Sequence, residues 1–520
     1  MDFQPKNILL INPPSGFLID QRVFLPLGIA SVAATARTKG HSIRLMDLAD
    51  IDDYTEEVAQ EVSRSKYDAV GITATSPQFY YAYRILKGIK SVDPKLKVII
   101  GGSHASMFSS YRKNLIGKFE RNGGGKSLQD FLYGEDPNFE KLEEFDSIAE
   151  GEERSLQLAL DSDKKWVDGG VESDLDSLPL PARDLFDIKS YLFDPQGSSK
   201  FVIDGKPSGS LISQRGCPYT CEFCCGRDSV MYKQVKMPGG VLRVHSPTRI
   251  LEELDLMHEE SGLDSFMFYD DEFNLHPPRT IELCNVLKQR NYKFRGFVKS
   301  DLLVKHPEVA KAMQEAGFVE VLTGVESGSE RILSRHLHKK TSPTINYRAA
   351  EICLENGLAF KALTLLGHTS ETPSDIMDTR DWLLKTGRRF YDNLGPGHFT
   401  FDLTVFQPYA GCPIWDKAEK NKGEFSDHYK WVYTTRSGKD VVDPQYGGIF
   451  FNKVDFSKEH GFYKGIPGNY KAFIRTSHVS AEQFVALRDS IEWEIRDRLG
   501  MSQLSKITSS SQFDHSMGQK

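Results

Sequence analysis

Cys217, Cys221 and Cys224 stand at the spacing C-x3-C-x2-C within Ser213-Gln-Arg-Gly-Cys-Pro-Tyr-Thr-Cys-Glu-Phe-Cys-Cys-Gly-Arg227, so three of the seven cysteines are bunched on one short stretch. A closed tetrahedral zinc site wants four N or S ligands, usually as two separated pairs. Three thiolates on one loop suit a [4Fe–4S] cluster with one iron left for a ligand from outside the chain, because such clusters are otherwise held by four thiolates. A zinc knuckle is the competing reading of the same residues. Cys225 stands across a three-residue gap from Cys221, as Cys221 does from Cys217, but only Cys217, Cys221 and Cys224 complete the pattern.

A loop of this kind has to be presented by a rigid element, and Gly209-Ser-Leu-Ile-Ser213 reads as a short strand leading into it. Beyond the loop the pattern predicts strands at 265–269, 294–299, 319–325, 360–366 and 398–406. Helices at 247–261, 278–289, 307–316, 330–337, 343–356 and 373–385 alternate with them, the first opened by Ser246 as N-cap. Six strands with crossover helices predict an open (βα)6 barrel with its site at the strand carboxyl ends. Strand interiors read as apolar, whereas Asp270, Asp271, Glu272, Glu326, Ser327 and Gly367 fall where strands end. Cys284 and Cys353 lie on apolar helix faces and read as core. Cys412 falls near the expected substrate end, where a catalytic thiol is the minority reading.

Upstream, strands at 6–12, 41–46, 68–73, 97–100 and 145–148 alternate with helices at 25–39, 55–65 and 79–89. This predicts a doubly wound, Rossmann-like parallel sheet whose ligand crevice lies beyond the strand carboxyl ends. Residues 109–142 interrupt the pattern and read as a surface insertion around Arg121-Asn-Gly-Gly-Gly-Lys126. The chain is thus expected to be α/β throughout, with domains at 1–160 and 200–415. A proline-containing linker at 161–199 joins them. Residues 416–500 form an aromatic-rich α+β region, read either as a cap over the barrel mouth or as ordinary packing. Its last helix, 480–499, carries Ser480 and Gln483 in capping positions, and the serine-rich 501–520 reads as a disordered tail.

Composition narrows the classes of function. At 520 residues with 39% hydrophobic and 26% charged residues, the chain reads as globular and multidomain. A net charge of −7 leaves no electrostatic footprint for nucleic acid. No window is long and apolar enough for a membrane span, and Met1-Asp-Phe-Gln-Pro-Lys lacks a signal peptide's apolar core. The cysteine usage points to a reducing cytoplasm rather than to a disulfide framework.

The cysteine loop and the phrases around it resemble the radical S-adenosylmethionine (SAM) superfamily. Asn12-Pro13-Pro14, Leu25-Pro-Leu-Gly-Ile29, Gly101-Gly-Ser-His-Ala105 and Ala149-Glu-Gly-Glu-Glu153 resemble its subgroup with an N-terminal cobalamin-binding domain. The resemblance implies that SAM chelates the open iron and that Phe223 neighbours its adenine. Asp270, Asp271 and Glu272 would face its ammonium, Glu326 and Ser327 its ribose and carboxylate, and Gly367 opens a further contact loop. It assigns Pro13, Pro14, Ser76, Gly101, Gly102, Ser103, His104, Glu150 and Gly151 to cobalamin. No Asp-x-His-x-x-Gly phrase is present, so cobalamin is expected without a protein histidine beneath its cobalt, and His104 as a loop contact instead. The implied activity is reductive cleavage of SAM to a 5′-deoxyadenosyl radical, hydrogen abstraction, and methyl transfer from methylcobalamin to an unactivated carbon or phosphorus. The substrate would be a small or lipid-like molecule, and the electron donor a protein such as flavodoxin or ferredoxin. A non-methylating radical reaction (cyclisation, dehydration, oxidation or rearrangement) is the alternative, and a non-catalytic iron–sulfur or zinc protein is the third reading.

Overall fold

The computed structural model describes residues 4–18, 20–124, 127–194, 197, 199–200, 202–219, 221–225, 242–337, 339–415, 429–431, 433–434, 440–441, 448–451, 453–459 and 471–501. Residues 502–520 of the expected tail, most of 416–447 and Arg227 of the cysteine phrase lie outside them.

The first sheet has six strands: β1 (Asn7–Asn12), β2 (Ser42–Asp47), β3 (Ala69–Thr73), β4 (Lys97–Gly101), β5 (Ser147–Glu150) and β6 (Trp166–Asp168), in the order β2-β1-β3-β4-β5-β6. All its pairings are parallel. Side chains alternate across β1, so Leu9 and Ile11 enter one apolar core while Ile8 and Leu10 enter another. Both faces are covered, which is why the strand reads as one apolar run.

The second sheet is also six-stranded and parallel: β7 (Gly209–Leu211), β8 (Ser265–Phe268), β9 (Lys293–Phe297), β10 (Phe318–Glu326), β11 (Ala359–Leu366) and β12 (Phe399–Val405). They lie in chain order from β7 to β12, and these two edge strands are not paired, so the barrel is open. Its helices begin on well-formed caps. The Ser246 side chain accepts from the Arg249 amide ahead of helix Pro247–Ser261, and Gly262, at φ 67°, closes that helix. Thr372 and Asp375 form a capping box for helix Pro373–Leu394.

Four expectations are corrected. Trp166–Asp168, placed in the linker, pairs with Ile148–Glu150 as the sixth strand; three residues are too few to show a period. The insertion is helical, comprising the end of Ser103–Arg121 with Leu128–Glu135 and Pro137–Leu142. Tyr111, Leu115, Leu132, Phe139 and Leu142 from it are core, so it is packed structure rather than a surface loop. An extra helix, Ser300–Lys305, precedes Glu308–Ala316. The inner face of the barrel is not uniformly apolar: Met267, Leu322 and Leu363 share it with the buried pairs Arg295–Glu320 and Lys361–Asp402.

In the C-terminal region β13 (Tyr429–Trp431), β14 (Ile449–Phe451) and β15 (Ile474–Thr476) form an antiparallel sheet. Helix Ala481–Arg498 follows, opened by a capping box of Ser480 and Gln483. It lies against β12, with Arg488 donating to the Leu403 carbonyl at 2.9 Å.

Candidate functional site

The cysteine loop starts one step beyond β7 and is held by the end of β8. Asp270 accepts from the Ser213 amide at 2.6 Å, the Ser213 hydroxyl at 2.5 Å and the Gln214 amide at 3.1 Å. Its carboxyl, pushed up to about 6 by burial, is fully engaged by backbone and hydroxyl. Asp270 therefore fixes the entry to the loop, with both carboxyl oxygens engaged by Ser213 and Gln214. Asp271 accepts from the Gly216 amide at 3.1 Å, and Gly216, at φ 101°, makes the turn into Cys217. The far end is tied to the barrel, where the Glu222 amide donates to the Leu337 carbonyl and the Glu222 carbonyl accepts from the Ile414 amide.

Cys217 and Cys221 are half-buried and Cys224 is exposed. Burial pushes the Cys217 thiol up to about 12 and raises Cys221 as well, with Lys339 pulling Cys221 back. Such thiols become thiolates when a metal binds them. Among the described residues no three His, Cys, Asp or Glu side chains are gathered closely enough to hold a metal ion. The donor set fits an iron–sulfur cluster in chemistry, and binding would draw the three thiols together.

A ring of charge surrounds the loop at the barrel's carboxyl end. Glu326, at φ 61°, pairs with buried Lys339. Lys299 donates to the Lys339 carbonyl at 2.7 Å, pairs with Asp301 at 3.1 Å and lies 4.7 Å over the Tyr219 ring. Burial, offset by Lys339 and Lys299, leaves the Glu272 carboxyl raised to about 7. Ser327 is turned inward, 3.3 Å from the Thr379 hydroxyl and accepting from the Ser329 amide at 3.1 Å, so its hydroxyl shapes the turn. Gly367, at φ 92°, packs so closely on β15 that a Cβ would meet Ile474 Cδ1 at 2.0 Å. The loop it opens is fully buried, and that burial lowers the His368 imidazole to about 4. Phe223 lies 6.3 Å from the His368 ring, edge on.

Between the two sheets lies a cavity of about 350 Å³. Gly101, Gly102, Gly151, Glu152 and Glu153 reach it from the first sheet, Ile212, Gln214, Arg215, Tyr269 and Asp271 from the barrel. It continues along helix Leu27–Thr38, past Gly28, Ile29 and Val32, toward Leu10 and Ile99 of the first sheet. A Cβ on Gly28 would meet nothing within 4 Å and one on Gly101 only the Ala149 carbonyl at 3.7 Å, so the glycines keep open a cradle that side chains would fill. The open glycine wall suits a ring that approaches the backbone closely, as a corrin would.

Of the residues assigned to cobalamin, the structure brings Gly101, Gly102 and Gly151 to the cavity wall. Pro13, Pro14, Ser76, Ser103, His104 and Glu150 are not part of that wall. Glu150 is engaged by Lys113. Ser76 bonds His104 Nδ1 at 3.0 Å, and His104 is caged by Phe79, Phe108 and Phe456. Burial lowers its imidazole to about 3, and among the described residues its Nε2 has no hydrogen-bond partner. The sequence reading missed Lys299, Lys339, Arg215 and Arg243. Isolated cations carry no motif, and only the fold shows that they converge.

The family model for the radical SAM superfamily matches residues 211–383, and that for the B12 binding domain matches residues 22–119. The chain thus carries a radical SAM domain and, ahead of it, a B12-binding domain. Its B12-binding domain is the first, Rossmann-like one. Among curated relatives, an uncharacterized methyltransferase of Pyrococcus horikoshii is 27% identical over 466 residues, covering 87% of this chain and 90% of that protein. The anaerobic magnesium-protoporphyrin IX monomethyl ester cyclase of Rubrivivax gelatinosus is 22% identical over 479 residues, covering 87% and 79%. Among solved structures, the radical SAM methyltransferase TsrM of Kitasatospora setae, with cobalamin and a [4Fe–4S] cluster bound, has the same fold, with a TM-score of 0.57 at 15% identity over 94% of this chain and 91% of that one. Among the described residues no helix is long and apolar enough to cross a membrane.

Proposed function

We propose that this radical SAM enzyme is a cobalamin-dependent methylase of an unactivated carbon or phosphorus. The observation that carries the reading is the cavity shared by the two sheet ends, with the cysteine loop on its barrel side. When bound, the cluster and SAM supply a 5′-deoxyadenosyl radical that takes a hydrogen atom from substrate, and methylcobalamin supplies the methyl group.

The chain's own part is placement and exclusion of water. Cys217, Cys221 and Cys224 would hold three irons. Glu272, raised but close to two lysines, suits the SAM ammonium, and Lys339 and Lys299 suit its carboxylate. Gly28, Gly101, Gly102 and Gly151 would let the corrin approach the backbone. Phe223 and the buried His368 loop close the far side of the SAM site. An electron donor such as flavodoxin or ferredoxin would have to reach the cluster from outside.

Product analysis decides. Anaerobic turnover with SAM and a low-potential reductant should give both S-adenosylhomocysteine and 5′-deoxyadenosine. The cyclase among the relatives keeps a non-methylating reaction as the second reading, and 5′-deoxyadenosine without S-adenosylhomocysteine would select it.

A further inference from the structure

The cysteine loop leaves from Gln214–Arg215, which pairs antiparallel with Arg243–Val244 as a two-stranded ribbon. Arg215 and Arg243 stand opposite each other at its base, and each is gripped by a carboxylate of the B12-binding domain. Arg243 donates to both oxygens of Glu152 at 2.7 Å, and to the Glu172 carbonyl at 2.6 Å. Arg215 donates to both oxygens of Glu153, at 2.7 and 3.2 Å. Side-chain exposure is 2% and 7% for Arg243 and Glu152, and 18% and 5% for Arg215 and Glu153. From the other side the ribbon is held by the barrel, through Asp270 and through Arg279, which donates to the Ser213 and His245 carbonyls at 3.0 Å.

A buried ion pair adds little net stability over apolar packing, but a two-pronged guanidinium–carboxylate contact fixes orientation. Here the fixed object is the base of the loop whose thiols must converge for a cluster to form. Glu152, Glu153, Gln214 and Arg215 also line the cavity, so a ligand there touches the clamp.

We propose that Glu152 and Glu153 are positioning residues for the iron–sulfur cluster: the B12-binding domain, which donates no cluster ligand, sets the geometry in which Cys217, Cys221 and Cys224 converge. This rests on the reading of the cysteine loop as the cluster site. It is tested in the full-length chain, reconstituted anaerobically with iron and sulfide. Iron per chain, the electron paramagnetic resonance line shape of the reduced cluster and the thermal midpoint are measured together. The control is Asp20→Asn, which breaks the buried 3.0 Å pair with Lys200 and touches neither ribbon nor cavity wall.

Glu152→Gln with Glu153→Gln should lose at least half of its iron and change the line shape of what remains, while Asp20→Asn keeps wild-type iron at a comparable fall in midpoint. The reversed pair Glu152→Arg with Arg243→Glu should regain iron relative to Glu152→Arg alone. Should the double variant not fold, Glu153→Gln alone, at the less buried pair, reads the same loss. Wild-type iron and line shape in the Gln variants overturn the proposal, as does an iron loss that the control matches. A wild-type chain that takes up no iron overturns the cluster reading itself, and this proposal with it.

Discussion

Where the first sheet ends, at Gly101, Gly102 and Gly151, the chain offers backbone and space; where the second ends, at Glu272, Glu326 and Lys339, it offers paired charge. Both sheets are six-stranded and parallel, though the first is doubly wound and the second runs in chain order. What differs is the ligand each end suits. A large, nearly neutral ring is held by shape, and side chains at its edge would only obstruct it. A compact zwitterion such as SAM has to be met by fixed charges of both signs, and burying those charges demands that they pair when no ligand is there.

The largest effect expected is on the charged end. Cys221→Ala should reduce bound iron to background and abolish SAM cleavage, because two thiolates from one loop do not hold a cube; iron and sulfide assays and 5′-deoxyadenosine release check it. Next comes the pair beneath the loop. Lys339→Met leaves Glu326 buried beside Glu272 without its nearest cation and should destabilise the fold by about 3–5 kcal/mol. Adding Glu326→Gln should recover most of that in urea unfolding while SAM binding stays weak. If the double variant binds SAM as wild type does, these charges serve the fold alone and the contrast between the two ends fails.

The glycine end breaks in another way. At Gly102, φ is 87° and a Cβ would lie 2.8 Å from the Ala74 carbonyl, so Gly102→Ala should cost about 1–3 kcal/mol of stability. Gly28 lies in helix Leu27–Thr38 with open space where its Cβ would be. Gly28→Ala should leave the thermal midpoint unchanged or slightly higher, since alanine is the better helix former. It should nonetheless lower the cobalamin retained per chain, read from the absorption spectrum, because the methyl group enters the cavity. Loss of stability without loss of cobalamin at Gly28 would mean that the cleft is not the corrin's cradle.

Much of this division is legible in the amino-acid sequence alone. The cysteine spacing marks its loop because three thiols at fixed intervals have few uses, and the alternation of apolar runs with helical periods gives both sheets. Reach is what stays hidden. Asp270 and Asp271 are neighbours in sequence, yet Asp270 turns to Ser213 and Gln214 while Asp271 faces the cavity. Pairings such as Glu152 with Arg243 join residues far apart in the chain, and no local pattern records them. The helical insertion is obscured by Gly123 and Gly124, which end one helix without interrupting the core that Phe108, Phe139 and Leu142 build.

A smaller, pH-dependent effect separates buried carboxyls from paired ones. Burial pushes Glu371 up to about 8, against the pull of the Gly367 and His368 amides that its carboxylate accepts from. A carboxyl raised on folding binds a proton that the unfolded chain has already released. Its stabilising contribution is therefore full below the ordinary value of 4.5 and is lost as pH rises toward about 8. Glu272, raised to about 7, acts in the same direction. Unfolding free energies across that window should fall with pH by at most about 1.4 kcal/mol per unit for each group, and Glu371→Gln should flatten the slope. A slope unaffected by that change would place the titration elsewhere.

The smallest effect is predicted at His104, and it tests how cobalamin is held. The imidazole sits beside the glycine end but turns away from it, into Phe79, Phe108 and Phe456, with Ser76 as its hydrogen-bond partner. No histidine lies among the described residues that line the cavity. Removing both members of a buried hydrogen bond together leaves no polar group stranded. His104→Leu with Ser76→Ala should therefore change stability by about 1 kcal/mol or less, whereas His104→Leu alone orphans the Ser76 hydroxyl and should cost more. Neither variant should alter the absorption spectrum of bound cobalamin, because an imidazole in that cage cannot reach a cobalt in the cavity without unpacking three aromatic rings. A spectral shift in the double variant would make His104 a ligand after all, and the glycine end would then hold its ring by a bond as well as by shape.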